Sequence, residues 1–278
     1  MALPLTKSAM EALGKRLAKC LPPASDDIER LQELLLSFDG ALTIAVDLVR
    51  DHFEHVPSSR IKTTGTILDK LRRHGGSILK GMQDLAGMRI VQDCDRQEQD
   101  RLAEDIMHLF KKHGDPPPRL VDRRQYPSHG YRAVHIIVYI DGAPVEIQLR
   151  TKLQHEWADL FEKLADRVGR NIRYGEPPDH WRDQAFAPGI EAAGASTPER
   201  NRRERELLEG LYMSAYRVRE SAVQCAHALA GLIDGYERYA LRIPPGELAK
   251  LNAAIADGFV TMRSCIDDLG PLTLPPSC

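Results

Sequence analysis

The chain has 278 residues, 42% hydrophobic and 28% charged, which excludes a disordered polymer and suffices for one large domain or two small ones. Its 38 Lys and Arg against 40 Asp and Glu leave a formal charge of -2, so a contact with nucleic acid has to come from a local basic patch. No run of about 18 uncharged apolar residues exists, which excludes a helical membrane span and a membrane partner.

The first twenty residues lack the basic start and apolar run of a secretory signal. The five cysteines, at 20, 94, 225, 265 and 278, form no close pair, against a disulfide framework or a zinc knuckle. A reducing cytoplasm is the expected compartment.

Residues 6–20 and 26–55 have helical spacing, with Leu31, Leu34 and Leu35 and then Leu42, Ile44, Val46, Leu48 and Val49. Pro22 and Pro23 separate the two segments, and Ser25 or Asp26 is placed to cap the second. Residues 1–56 thus read as an N-terminal helical segment. Residues 57–174 differ in kind, with a helix over 63–74, a β-branched run at Met88–Val91, a helix over 96–113 ended by Gly114 and three prolines, and a short apolar pair at Leu120 and Val121. Two strong strands follow, Tyr131–Ile140 and Pro144–Arg150, around Asp141-Gly142, and a helix over 152–168 closes the unit. Helices interleaved with strands predict an α/β or α+β sandwich. Residues 175–198 read as a linker or loop, and 199–278 as a C-terminal helical extension with helices over 199–240 and 246–265 and a frayed tail.

Asp-Gly between alternating runs signals a two-residue hairpin loop, so Ile140 faces Ala143, and 138, 136 and 134 face 145, 147 and 149. One face then holds Val134, Ile136, Val138, Ile140, Val145, Ile147 and Leu149, which is core. The other sets Tyr131, Ala133, His135 and Ile137 opposite Lys152, Arg150, Gln148 and Glu146. A solvated sheet face is often polar. This one lacks Thr and Lys repetition and combines a ring, hydrogen-bonding groups and a carboxylate, as a nucleotide site requires.

Asp84 precedes the first strand, where an Asp is more often a cap than a ligand. Thr66, Lys70 and Arg73 fall at i, i+4 and i+7 on one helix face, following Ser59-Arg60-Ile61-Lys62. Such a face is usually just solvated. The hydroxyl among the cations makes an anion site credible, although no Gly-x-x-x-x-Gly-Lys loop is present.

Five strings, Arg60-x-Lys62-x-x-x-Thr66-Ile67-x-x-Lys70, Asp84-Leu85-Ala86-Gly87-x-Arg89-Ile90, Gly130-Tyr131-Arg132-Ala133-x-His135, Glu146-Ile147-Gln148-Leu149-Arg150-Thr151 and His155-x-Trp157-Ala158, occur in order over about 57–168. Together they resemble the (p)ppGpp synthetase domain of the RelA/SpoT type, including its small alarmone synthetases. No His-Asp hydrolase motif accompanies them.

The resemblance implies a nucleotidyltransferase-like mixed β-sheet flanked by helices, with N- and C-terminal helical extensions. It implies transfer of the β,γ-pyrophosphate of ATP to a ribose 3′-hydroxyl, with Mg2+ as cofactor. By motif, Arg60 and Arg89 sandwich the adenine, and Lys62, Thr66, Lys70 and Arg73 hold the ATP phosphates. Asp84 and Glu146 bind Mg2+, with Glu146 also helping to deprotonate the hydroxyl. Tyr131 stacks on the acceptor base, and His135, Gln148, Arg150 and His155 line the acceptor pocket. These roles agree with a reaction that needs positioning and charge neutralisation more than covalent help, and with a cation that takes one or two carboxylates.

The departures from the family pattern fall on the acceptor side. The segment 122–129 lacks the family's lysine, for which Arg123 and Arg124 are the expected replacements. The familiar His and Tyr-Lys ending after Trp157-Ala158 is absent. The primary expectation is an enzyme making alarmones from ATP and GDP or GTP in a stringent response. The alternative is a toxin that pyrophosphorylates the CCA end of tRNA, supported by the altered loop and the basic residues Arg72, Arg73, Lys111, Lys112, Arg119, Arg123 and Arg124. A catalytically silent binding module is opposed by the presence of both carboxylates. For the C-terminal helices the pattern leaves open an oligomer interface, an autoinhibitory element and an antitoxin dock. Arg200, Arg202, Arg203 and Arg205, set among glutamates, read as a solvated face.

Overall fold

A computed structural model describes residues 3–53, 56–114, 116–178 and 198–269. Most of the expected linker and the expected frayed tail lie outside the described residues, as do the side chains of Arg200, Arg202, Arg203 and Arg205. The chain divides into two compact units, one of residues 1–125 and 133–152, the other of 126–132 and 153–278.

The first unit begins with α1 (Lys7–Lys19), capped by the Thr6 hydroxyl, and α2 (Ser25–His52). α2 starts after Ala24 with no side-chain cap, so neither Ser25 nor Asp26 plays that part. Asp26 and Asp27 stand in its first turn, where negative charge suits the helix dipole, and Asp27 also binds Arg16 of α1. Then come β1 (Ser58–Ile61), α3 (Thr64–His74), a 3-10 turn over Gly76–Gly81, β2 (Ala86–Gln92), α4 (Arg96–Lys111), β3 (Arg119–Asp122), β4 (Val134–Ile140) and β5 (Ala143–Thr151). The strands form one mixed sheet in the order β1-β2-β5-β4-β3, in which β2 and β5 run parallel and the other pairs antiparallel. The fold class is therefore the expected α/β (α+β) arrangement.

The hairpin pairs as the alternation requires, with Ile140 against Ala143, Val138 against Val145, Ile136 against Ile147 and Val134 against Leu149. Positive φ at Asp141 (51°) and Gly142 (82°) supplies the turn whose twist matches the strands. One face of the sheet, with Ala86, Met88, Ile90, Val134, Ile136, Val138, Val145, Ile147 and Leu149, is buried in a core with α2, α4, α1 and α3. The opposite face takes the remaining alternate residues. Register puts Ser58 and Arg60, Gly87 and Arg89, Glu146, Gln148 and Arg150, His135 and Ile137, and Arg119 there together.

Two differences from expectation have local causes. β1 carries no periodicity, since three of its four residues are exposed, and it exists through its backbone pairing with β2. β4 starts at Val134 rather than Tyr131, whose N–H instead closes a turn on the Ser128 carbonyl.

In the second unit α5 (Lys152–Val168) follows β5 directly, and a 3-10 turn follows it over Arg170–Tyr174. α6 (Pro198–Tyr239) and α7 (Pro245–Asp268) are joined by a further 3-10 turn, Ala240–Arg242. Ala222, Ala226, Leu229, Ala230 and Ile233 of α6 share a core with Trp157, Phe161 and Leu164 of α5 and Ile255, Phe259 and Met262 of α7. The Trp157 ring stacks on Phe161 and donates its Nε1–H to the Ala226 carbonyl at 2.7 Å. Among the described residues no helix is long and apolar enough to cross a membrane.

Candidate active site

The ends of β1 and β2 and the start of α3 converge on one carboxylate. The Lys62 N–H donates to the Leu85 carbonyl at 2.8 Å, tying the chain after β1 to the chain before β2. Thr63 then caps α3 by accepting from the Thr66 N–H. Lys70, one turn further on, donates to both Asp84 oxygens at 3.1 Å, and Lys62 donates to Asp84 Oδ2. Burial alone raises the Asp84 pKa. The two ammonium groups more than reverse this and hold the carboxyl below the usual range.

The second carboxylate is Glu146, on β5. Period-two alternation sets Glu146, Gln148 and Arg150 in a row. Arg150 donates to Gln148 Oε1 at 2.9 Å, and Gln148 Nε2 donates to Glu146 Oε2 at 2.8 Å. His135 on β4 lies 3.0 Å from Glu146 Oε1 through its Nδ1. Burial pushes the Glu146 carboxyl up, His135 and Gln148 pull it down, and the Asp84 charge pushes back. The net direction is down, so Glu146 is an ionised group although its side chain is only 14% exposed.

Asp84 and Glu146 are thus within electrostatic reach of each other and both ionised at neutral pH. Among the described residues no three His, Cys, Asp or Glu side chains form a metal cage. Two hard oxygen donors without a third fit Mg2+, which keeps several waters and takes substrate phosphate oxygens to complete its shell. Arg89 is the lateral neighbour of both Ser58 and Gln148, and Arg60 is the neighbour of Gly87, so the two guanidinium-bearing positions are diagonal on one face. Thr66 and Arg73 are both exposed on α3.

On the acceptor side the expectation needs one correction. Arg124 is not available to a ligand. Its buried guanidinium binds Asp122 at 2.8 Å, Asp100 at 2.5 Å and Gln99 Oε1 at 2.9 Å. Arg123, its neighbour, is exposed, and its backbone N–H donates to the Ala133 carbonyl. Tyr131 and His155 belong to the second unit, where Tyr131 is half-buried against the core that contains Trp157. Sequence reasoning missed Gln99. It is fully buried and donates to the Leu149 carbonyl at 3.0 Å, between Gln148 and Arg150. An amide on the apolar stripe of α4, in line with Leu102, Ala103 and Ile106, was the available signal.

Residues 59–165 match the family described as "Region found in RelA / SpoT proteins". The uncharacterized proteins Rv1366 of Mycobacterium tuberculosis and Mb1401 of Mycobacterium bovis are each 37% identical over 179 residues, 63% of this chain and 64% of theirs. The chain thus spans 64% of the length of these curated relatives. Among solved structures, small alarmone synthetase 1 from Bacillus subtilis bound to its product pppGpp is 22% identical, over 66% of this chain and 97% of that one, with a TM-score of 0.40. A GTP pyrophosphokinase family protein from Streptococcus pneumoniae is 19% identical, over 84% of this chain and 93% of that one, with a TM-score of 0.38. The segment from 59 to 165, from β1 into α5, belongs to the family of regions found in RelA / SpoT proteins.

Proposed function

We propose that this protein transfers the β,γ-pyrophosphate of ATP to the 3′-hydroxyl of GDP or GTP, giving a (p)ppGpp-type product and AMP. One observation carries this reading: two ionised carboxylates within electrostatic reach, Asp84 under two lysines and Glu146 against His135 and Gln148, on the segment that belongs to the RelA / SpoT family. In the reaction the acceptor oxygen forms a bond to the β-phosphorus, and the bond from that phosphorus to the oxygen bridging it to the α-phosphorus breaks. Charge accumulates on the phosphate oxygens throughout, so cations and fixed donors do most of the work.

Lys62 and Lys70 bind the triphosphate by exchanging Asp84 for phosphate oxygens, with Thr66 and Arg73 contributing from the same helix. Asp84 and Glu146 would hold Mg2+, which would supply neutralisation of the phosphate charge. Arg60 and Arg89 take the adenine faces, for which planar guanidinium groups are suited. Glu146, being well ionised, accepts the hydroxyl proton as the new bond forms rather than before it. His135 and Gln148 keep its oxygens oriented. Tyr131 stacks on the acceptor base, with Gln148, Arg150, His155 and Arg123 as acceptor contacts.

A second reading, transfer to the 3′ end of tRNA in a toxin, draws on the exposure of Arg119 and Arg123 on and beside edge strand β3. Incubation with γ-labelled ATP and GDP, GTP or bulk tRNA, followed by separation of products, tests both. Labelled guanosine tetra- or pentaphosphate is the expected outcome. Label in tRNA alone selects the second reading, and label in neither rejects both.

A further inference from the structure

Residues 126–132 belong to the second unit, and several contacts hold them there. His129 (φ 50°) and Gly130 (φ 91°) reverse the chain, and the Tyr131 N–H closes the turn on the Ser128 carbonyl at 2.9 Å. Two consecutive residues of positive φ form a turn with weak intrinsic preference, which other contacts must select. At Gly130 the contact is direct: a Cβ there would lie 2.7 Å from the Trp157 ring and 3.2 Å from Ala230 Cβ, so glycine is required by space as well as by φ.

Arg132 supplies the polar half of the attachment. Its Nη1 donates to the Gly130 carbonyl at 3.0 Å, within the turn, and to the Ala230 carbonyl of α6 at 3.2 Å. Its Nε lies 3.1 Å from Asp234 Oδ1, one helical turn further along α6. Both side chains are largely buried, at 14% and 19% exposure, so the pair is shielded from water. The second Asp234 oxygen takes Arg238 at 2.9 Å, on the exposed side.

We propose that Asp234 is a positioning residue for acceptor binding: through Arg132 it locks the 126–132 turn onto α6 and thereby fixes the Tyr131 ring. This rests on the reading of Tyr131 as the ring that stacks on the acceptor base. It gives the C-terminal helices a part within the chain itself, as the template for that turn.

Asp234→Asn keeps the shape and removes the charge. The expected result is an acceptor KM raised about tenfold or more, the size of a lost part-buried ion pair, with the ATP KM within about twofold of wild type. Amide exchange should speed up over 126–132 and stay unchanged over 153–168. Asp234→Glu should recover part of the acceptor KM. Arg238→Ala, which strips the other side of the same carboxylate, should move neither readout. The proposal is overturned if Asp234→Asn lowers kcat with both KM values unchanged, as a loss of folded protein would. It is equally overturned if exchange over 126–132 stays slow, or if Arg238→Ala has the same effect. Absence of transfer by the wild-type protein would overturn the proposed function instead, and is read before any variant is made.

Discussion

At the Asp84 carboxylate, two ammonium groups occupy oxygens that the proposed reaction needs for a cation. A triphosphate offers those ammonium groups a stronger partner. Lys62→Ala or Lys70→Ala should therefore raise the ATP KM about 10- to 100-fold, from roughly 1.5–3 kcal/mol of lost charge-assisted contact, as steady-state kinetics would register. Near-wild-type ATP binding by both variants would put the phosphate site elsewhere. Glu146→Gln should abolish transfer while leaving the circular dichroism spectrum and cooperative unfolding intact, because Glu146 lies on the face of β5 opposite the apolar core. Both carboxyls titrate below their ordinary range in the folded chain, so the stability they confer is present at neutral pH and lost as pH falls through the folded values. The wild type should lose stability through the acid range more steeply than Asp84→Asn, in denaturant midpoints measured from about pH 6 to pH 2. Equal slopes would mean that Asp84 is no more tightly held in the folded chain than in the unfolded one. At this scale the sequence was informative only where alternation fixes a face. His135, Gln148 and Glu146 could be grouped from a two-residue turn, whereas Arg123 and Arg124 are adjacent and chemically identical on paper. Only the positions of Asp100, Asp122 and Gln99 distinguish the exposed one from the buried one.

Among the elements, the long amphipathic helices and the Asp141-Gly142 hairpin could be read directly, because burial on one side imposes a period on many residues. β1 could not, since four mostly exposed residues carry no such record. Nor could the start of β4, because the Tyr131 N–H closes a turn on Ser128 and the alternation in the sequence does not record that turn. The buried link from Arg124 through Gln99 to the Leu149 carbonyl joins three elements and has no local signature. It makes a prediction of its own. Arg124→Met should destabilise the protein by about 2–3 kcal/mol in chemical denaturation, because the buried Gln99 amide oxygen and the part-buried Asp122 carboxylate both lose the guanidinium that donates to them. Arg123→Met should cost less than about 0.5 kcal/mol, as exposed substitutions usually do. If the two cost the same, the network is a surface feature and the correction to the acceptor assignment fails.

For the molecule as a whole, the balance of 38 basic against 40 acidic residues matters most for the identity of the acceptor. A free guanosine nucleotide brings its few charges into one pocket, and its binding needs no extended basic surface. A tRNA brings a backbone that continues past the pocket, and a chain of net charge -2 can attract it only through a local cluster. With Arg124 committed to the interior, Arg119, which also donates to Gln83 at 2.6 Å, and Arg123 remain among the described residues as the exposed cations on and just after β3. Two phosphate contacts to single-stranded RNA release counterions enough for a slope of about -1.4 in log affinity against log salt. With GDP or GTP as acceptor, transfer should depend only shallowly on added salt, and Arg119→Glu alone should change acceptor KM by less than about threefold, the reach of charge repulsion across a screened surface. With tRNA as acceptor, the wild-type rate should fall steeply with salt and Arg119→Glu with Arg123→Glu should lose the reaction. The two sets of curves, measured at subsaturating acceptor, separate the readings even if the protein accepts both substrates, because Arg119 contributes to the slope only where the acceptor is long enough to reach it.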